Sequence, residues 1–196
     1  MKRILITASL SGIFMPAPAW AELNYNTVNV GFTTKTATNK TTSLDYTELG
    51  LGFSKSVSKN VYLGASYERG SEPATATSDG KVYSISLGAG FHTPLYDNAD
   101  VIVSGHIVQG TDQIAGSDAN AKGYDIGAGV RAEFIHGLEG SIAAVYASTS
   151  NDTYSSKDTF VNAKLGFDFT PEIQMYAGID LWRDNQTIDF GLRYFY

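Results

Sequence analysis

Apolar residues alternate with polar or small residues along most of this chain, the pattern of β-strands with one apolar face. In the last segment, 188–196, the apolar set is Ile188, Phe190, Leu192, Tyr194 and Tyr196. Ten such strands are predicted, at 23–34, 44–55, 60–69, 81–92, 99–109, 123–134, 138–148, 159–169, 173–182 and 188–196. Each is roughly as long as a tilted strand that crosses a bilayer. Eight strands is the alternative count, if the first or ninth pair is misjudged.

The predicted connections alternate in length, as in outer-membrane barrels with short inner turns and long outer loops. Short turns are predicted at 56–59, 93–98, 135–137 and 170–172, and longer polar loops at 35–43, 70–80, 110–122 and 149–158. The last outer loop, 183–186, is short. The predicted fold is therefore an all-β, transmembrane, antiparallel up-and-down barrel with both chain ends on the inner side.

Aromatic residues on the apolar alternation support this arrangement, because membrane proteins place aromatics at both interfaces. The inner girdle is predicted to hold Phe53, Phe91, Phe134, Phe169 and Tyr196, and the outer girdle Tyr67, Tyr83, Tyr124 and Tyr146. Tyr46, Phe160 and Trp182 lie near the outer level on the opposite alternation, and we attribute them to bulges or loop entries.

The first 21 residues have the features of a secretory signal peptide: a basic start, a short apolar run and a small-residue cleavage site at Ala19-Trp20-Ala21. The barrel domain is then 22–196.

Without Lys2 and Arg3, 12 of the 14 basic residues remain against 20 acidic residues, a net charge of −8. This balance argues against nucleic-acid binding. The absence of cysteine excludes disulfides and thiolate metal sites, and no cofactor is predicted.

Alternation alone does not say which face is outside, because a soluble lipocalin-like barrel keeps its apolar face inside. The polar face is rich in Gly and Ser, including the repeats Leu49–Phe53, Leu87–Phe91 and Ile126–Val130. Glycine weakens a solvated strand but makes room inside a narrow barrel. A dinucleotide motif would need a third glycine and a helix. We therefore expect the apolar face to meet lipid.

The lumen-facing alternation collects the candidate functional residues: Glu48, Glu68, Asp125, Arg131, Glu133, Glu139, Lys164, Asp168, Asp180, Asp189 and Arg193. They form either an ion-paired interior that fills the barrel or a polar lining for small solutes. The size of a ten-strand barrel allows both. No catalytic or metal-ligating set is predicted. Ser104 and His106 share a face and would be the nucleophile and base of a lipid-modifying enzyme, but no third, orienting group is identifiable.

The closing strand resembles that of bacterial outer-membrane barrels, which end in an aromatic preceded by apolar residues at every second position. That resemblance implies that Phe190, Leu192, Tyr194 and Tyr196 are read by the barrel-assembly machinery. The whole chain is similar to small barrels of the OmpA/OmpX/OmpW type, and more particularly to porin-like barrels once described as quorum-sensing or plant-immunity-activating factors. The shared motifs are Leu23-Asn24-Tyr25, Gly127–Arg131 and Gly191–Tyr196. The resemblance implies a non-enzymatic envelope protein, in contact with outer-membrane lipid and lipopolysaccharide.

Overall fold

Ten antiparallel strands form a closed barrel in the computed structural model, each strand pairing with its sequence neighbours and β1 pairing with β10. The structure describes residues 25–39, 42–71, 81–114, 117–135, 137–151, 155–182 and 185–196. The strands are β1 Thr27–Asn39, β2 Thr42–Ser56, β3 Val61–Ser71, β4 Lys81–Tyr96, β5 Ala99–Ile114, β6 Ser117–Ile135, β7 Leu138–Ser150, β8 Ser155–Thr170, β9 Ile173–Leu181 and β10 Asn185–Phe195. The ten-strand prediction is confirmed. The predicted signal peptide lies outside the described residues.

The pairing register fixes the shape of the barrel. Followed once around the sheet from Thr27, it returns to β1 at Asn39, a stagger of 39 − 27 = 12 residues. With a rise of about 3.4 Å per residue and strands about 4.8 Å apart, this stagger corresponds to a tilt of about 40° and a backbone diameter of about 20 Å. Such a lumen is narrow enough for large side chains to meet across it.

The two faces of the barrel have opposite chemistry. Ile107 and Leu165 on the outer face are 65% and 58% exposed, whereas Arg131 and Asp125 on the inner face are 1% and 4% exposed. A soluble protein would bury the apolar set and expose the charges. The exposed apolar face is the arrangement of a barrel that meets lipid, as the glycine-rich inner alternation predicts.

The residues of both predicted aromatic girdles lie on the lipid-facing surface of the barrel wall. The described exposed members are Phe53, Phe91, Phe134, Phe169 and Tyr196 at the end with the short turns, and Tyr67, Tyr124 and Tyr146 at the other end, where Tyr83 is half-buried. We call these the inner end and the outer end of the barrel. Phe53 stacks on Tyr196, with ring centroids 6.0 Å apart, beside the β1–β10 seam.

Several strands extend further outward than predicted. β5 reaches Ile114 and β6 begins at Ser117, so most of the predicted loop 110–122 belongs to a hairpin. The prediction was wrong here because it followed apolar side chains, which stop at the interface, whereas backbone hydrogen bonds continue beyond it. β1 starts at Thr27 rather than at residue 23, which leaves Tyr25 free of the strand ladder.

Glycines on the inner face make room for large side chains from neighbouring strands. A Cβ added to Gly88 would lie 1.9 Å from the His106 ring, and one added to Gly90 would lie 2.1 Å from the Tyr62 ring. The predicted role of these repeated glycines is therefore confirmed at both positions. Gly137 has a positive φ of 76° in the β6–β7 turn, where glycine avoids backbone strain.

Candidate functional site

All the charged residues predicted to face the lumen do lie on the lumen-facing surface of the barrel wall. Those that are buried are Glu48, Glu68, Asp125, Arg131, Glu139, Asp180, Asp189 and Arg193, and those that are partly buried are Glu133, Lys164 and Asp168. Asp100 is also buried there. Whether these side chains line a conducting path stays a prediction, and their contacts with one another decide what the lumen can do.

A group of side chains from seven strands and the segment before β1 crosses the lumen near its inner end. We call it the inner plug, and it consists of Tyr25, Tyr62, His92, Asp100, Arg131, Glu139, Gln174 and Arg193. Most of these side chains are less than 6% exposed. Tyr25, which precedes β1, contacts side chains of β3, β4 and β5, so this part of the inner plug extends across the lumen.

Tyr25 is at the centre of one half of the inner plug. Its ring stacks on Tyr62 at 4.9 Å and on His92 at 3.7 Å between centroids. Its hydroxyl donates to Asp100 Oδ2 at 2.7 Å, and His92 Nδ1 lies 3.0 Å from the same oxygen. Burial strongly raises the pKa of the Tyr25 hydroxyl, so the phenol stays neutral and remains a hydrogen-bond donor.

The other half of the inner plug is a chain of charged and amide groups. Arg131 pairs with Glu139 through two contacts, Nε with Oε1 and Nη2 with Oε2 at 3.2 Å. Gln174 donates to Glu139 Oε2 at 3.1 Å and accepts from Arg193 Nη1 at 2.9 Å. Arg193 Nε reaches Asn29 on β1 at 3.1 Å. The Arg131 guanidinium, 5.9 Å from the Tyr25 ring centroid, joins the two halves.

The middle of the lumen holds a second ion pair. Lys164 Nζ lies 3.1 Å from Asp189 Oδ2. Tyr176 lies between two cations, with its ring centroid 5.6 Å from Lys164 Nζ and 5.4 Å from Arg193 Cζ. Its hydroxyl occupies the space that a Cβ at Gly31 would need, so this side chain crosses β10 and reaches β1. Tyr176 therefore lies across the β1–β10 seam on the lumen side.

His106 forms a buried pair with Asp125, whose Oδ1 is 2.7 Å from His106 Nδ1. Asp125 is the orienting group that sequence reasoning did not identify. Among the hydrogen bonds of the described residues, however, none joins Ser104 to His106. The arrangement therefore supplies an oriented histidine without an activated nucleophile. His92 belongs to the inner plug, and His136 lies outside the described residues.

An aromatic stack occupies the outer part of the lumen. The rings of Phe160 and Trp182 are parallel within 8° and 4.3 Å apart, and Phe160 is buried beside Val145 and Ala147. The attribution to bulges or loop entries was wrong for Phe160, whereas Trp182 directly follows the last residue of β9 and lies at a loop entry. The β7–β8 register is continuous through Phe160, and the ring simply faces inward. The side chain of Tyr46 lies outside the described side chains.

Sequence reasoning missed Tyr25, Tyr62, Tyr176 and Gln174 as parts of the lumen. One signal was present: each of the last three faces a glycine on a neighbouring strand, at Gly90, Gly191 and Gly166 respectively. A large inward side chain beside an inward glycine is recognisable only once the register between the two strands is known.

Comparison with solved structures shows the same kind of barrel. An outer-membrane channel from Pseudomonas putida superposes with a TM-score of 0.53 at 12% identity, covering 93% of this chain and all of that one. The β domain of the Bordetella autotransporter BrkA gives 0.54 at 10%, covering 88% and 100%. The NanC porin gives 0.50 at 12%, covering 86% and 99%. At these identities the likeness establishes the fold alone.

No protein-family model matches the sequence, and no curated protein is significantly similar to it. No helix among the described residues is long and apolar enough to cross a membrane. Within the same residues, no group of three His, Cys, Asp or Glu side chains is placed to hold a metal ion.

Proposed function

We propose that this chain is a non-enzymatic β-barrel of the bacterial outer membrane and that its lumen is a narrow passage for small cations, held closed by the inner plug. The outer-membrane placement is supported by the lipid-facing apolar surface with its two girdles and by the fold shared with outer-membrane barrels. Such a barrel would be inserted by the barrel-assembly machinery, with Phe190, Leu192, Tyr194 and Tyr196 as its signal.

The charge of the lumen carries the proposal of a cation passage. Of the described lumen-facing residues that are buried or partly buried, nine are carboxylic acids, and three carry a permanent positive charge: Arg131, Lys164 and Arg193. A narrow, low-dielectric passage amplifies the field of fixed charges. Such a wall attracts cations and repels anions, as rings of acidic side chains do in cation channels.

The inner plug supports the proposal of a closed resting state. At the inner end of the lumen, the Tyr25 ring stacks on Tyr62 and His92, and the Arg131 guanidinium on β6 lies 5.9 Å from the centroid of the same ring. Tyr25 is the one contributor that precedes the strands rather than belonging to one. Displacing a side chain at the end of the ladder breaks few backbone hydrogen bonds, so opening needs no rearrangement of the barrel.

Planar-bilayer recording of refolded residues 22–196 tests the proposal. We expect infrequent unitary openings, with a reversal potential in a KCl gradient that reports cation selectivity. Addition of empty detergent micelles is the control. Anion-selective steps would contradict the assignment of the lumen acids, and a folded barrel that never conducts would contradict the passage itself.

A structural or surface-recognition barrel is the second candidate, and the ion-paired, hydrogen-bonded interior favours it. In that case the plug would be permanent and the outer loops would carry the function. A lipid-modifying enzyme is a third class, for which the His106–Asp125 pair is the geometric support among the described residues. Replacing Ser104 by Ala should leave the lipid composition of the outer membrane unchanged, and an altered composition would revive the enzyme hypothesis.

A further inference from the structure

Basic residues follow the outer aromatic girdle in a regular way. On β3, Arg69 lies two residues outward of Tyr67, and on β4 and β6, Lys81 and Lys122 lie two residues outward of Tyr83 and Tyr124. A step of two residues keeps a side chain on the same face of a strand. All three cations are exposed on the lipid-facing alternation.

The fourth member of the series comes from a neighbouring strand. Lys157 on β8 pairs with Ser148 on β7, which lies two residues outward of Tyr146. Lys157 is exposed and faces lipid by the same alternation as Val161. Each of the four outer tyrosines thus has one cation about 7 Å further outward, at the next lipid-facing position of its strand or of the adjacent one.

The acidic residues near this level face the other way. In the run Tyr67-Glu68-Arg69, the tyrosine and the arginine are exposed outside, while Glu68 is 7% exposed inside the lumen. Among the described side chains outward of the tyrosines, none on the lipid-facing alternation is a carboxylic acid. Within the described side chains, the outer rim is therefore positive, although the net charge of the chain is −6.

We propose that Arg69, Lys81, Lys122 and Lys157 form a phosphate-binding rim for the phosphorylated glycolipid of the outer leaflet, the lipid A part of lipopolysaccharide. Interfacial tyrosines mark the boundary between acyl chains and headgroups, so a cation one step further out lies at the depth of the headgroup phosphates. Lysine and arginine bind phosphate through charge-assisted hydrogen bonds, and clustered cations beside a membrane select anionic headgroups.

The rim consists of two pairs, which define the variants. Arg69 and Lys81 are on adjacent strands, and the Arg69 guanidinium lies 5.6 Å from the Tyr83 ring centroid. Lys122 and Lys157 flank β7, where they pair with Ser150 and Ser148. Serine hydroxyls between two lysines add neutral donors for the same phosphate. The second pair is the better target, because neither of its lysines stacks on a girdle tyrosine.

The experiment measures lipid retained by the refolded barrel in detergent, by native mass spectrometry at low ionic strength. The probes are diphosphoryl lipid A and the same lipid with both phosphates removed. The variants are Lys122→Gln/Lys157→Gln and, with the same change in charge, Lys55→Gln/Lys59→Gln at the inner end, where both lysines are exposed. Heat-modifiable gel mobility verifies folding of each variant.

We expect the wild-type barrel to retain the diphosphoryl lipid about 10-fold better than the phosphate-free lipid. The outer variant, Lys122→Gln/Lys157→Gln, should lose about 10-fold in retention of the diphosphoryl lipid only. This magnitude is in line with the attraction of single cations to anionic surfaces. The inner variant should match the wild type. Equal retention of both lipids by the wild type, or equal losses in the two variants, would overturn the proposal. The lumen takes no part in this measurement, so a non-conducting barrel would contradict the proposed function and leave this result intact.

Discussion

Replacement of Tyr25 by Ala is the most direct test of the inner plug, because this side chain lies before β1 and contributes no strand pairing. The change removes the ring that stacks on Tyr62 and His92, and it removes the hydroxyl that donates to Asp100. The vacated volume is roughly 100 Å³, the liquid volume of about three waters. We expect water and small ions to gain a continuous path at the level where the side chains meet.

The size of the effect follows from what each atom contributes. Tyr25→Phe keeps the ring and loses one hydrogen bond to a carboxylate, which costs about 2 kcal/mol. Tyr25→Ala also loses the packing of a buried aromatic ring, for a total of about 4 kcal/mol. The ladder of eleven residue pairs between β1 and β10 starts beyond this residue, at Thr27, so both variants should still close into a barrel.

Single-channel recording separates the two variants. We expect Tyr25→Ala to give long, cation-selective openings and Tyr25→Phe to resemble the wild type, because the ring rather than the hydroxyl blocks the lumen. Urea titration in detergent should rank the free energy of unfolding as wild type, then Tyr25→Phe, then Tyr25→Ala. A silent Tyr25→Ala barrel that is folded by gel mobility would refute the reasoning, and so would equal conductance of the two variants.

Three further outcomes are expected. Gly88→Ala should destabilise the barrel by about 1–3 kcal/mol, because the new Cβ would lie 1.9 Å from the His106 imidazole and 2.6 Å from the Gly105 carbonyl oxygen. Gly50→Ala is the control: the nearest atom to its new Cβ is 3.7 Å away, so the urea midpoint should be nearly unchanged. In the Tyr25→Ala background, Lys164→Gln removes one of the three permanent cations among the described lumen side chains, so the reversal potential should shift toward stronger cation selectivity. Trp182 is the only tryptophan of residues 22–196, and because it faces the lumen, its fluorescence should be poorly quenched by brominated lipid. The fluorescence of a Leu165→Trp barrel lacking Trp182 should be strongly quenched. The reverse order would place the Trp182 indole on the lipid-facing surface.

The strands and their two faces could be predicted because both depend on local alternation. Leu165 and Lys164 are neighbours in sequence, and a period of two is sufficient to place one in lipid and the other in the lumen. The outer ends of β5 and β6 were missed for a related reason. Beyond the interface both faces meet water, so Thr111 and Asn120, although still hydrogen-bonded to each other, show no alternation in polarity.

The contacts within the lumen could not be predicted, because they depend on the stagger of the whole barrel. Arg193 and Asn29 are 164 residues apart in sequence and become partners only when β10 pairs with β1 in one particular register. A shift of two residues would preserve every face assignment and still separate these groups. Alternation fixes faces but leaves such shifts open, so the sequence indicates which residues enter the lumen and not which of them meet.

Pairs of inward aromatics and inward glycines offer a way past this limit. Tyr62 needs Gly90 directly opposite on β4, and the His106 ring needs Gly88 opposite on the same strand. A slip of one residue would place each ring against a lipid-facing position, and a slip of two would place His106 against Ser86 or Gly90, which already seats another ring. Few registers place both the Tyr62 ring and the His106 ring opposite a glycine, because each strand has few glycines that face the lumen. Requiring every large inward ring to face a glycine therefore narrows the stagger of a small barrel, and the stagger determines which charges meet in the lumen.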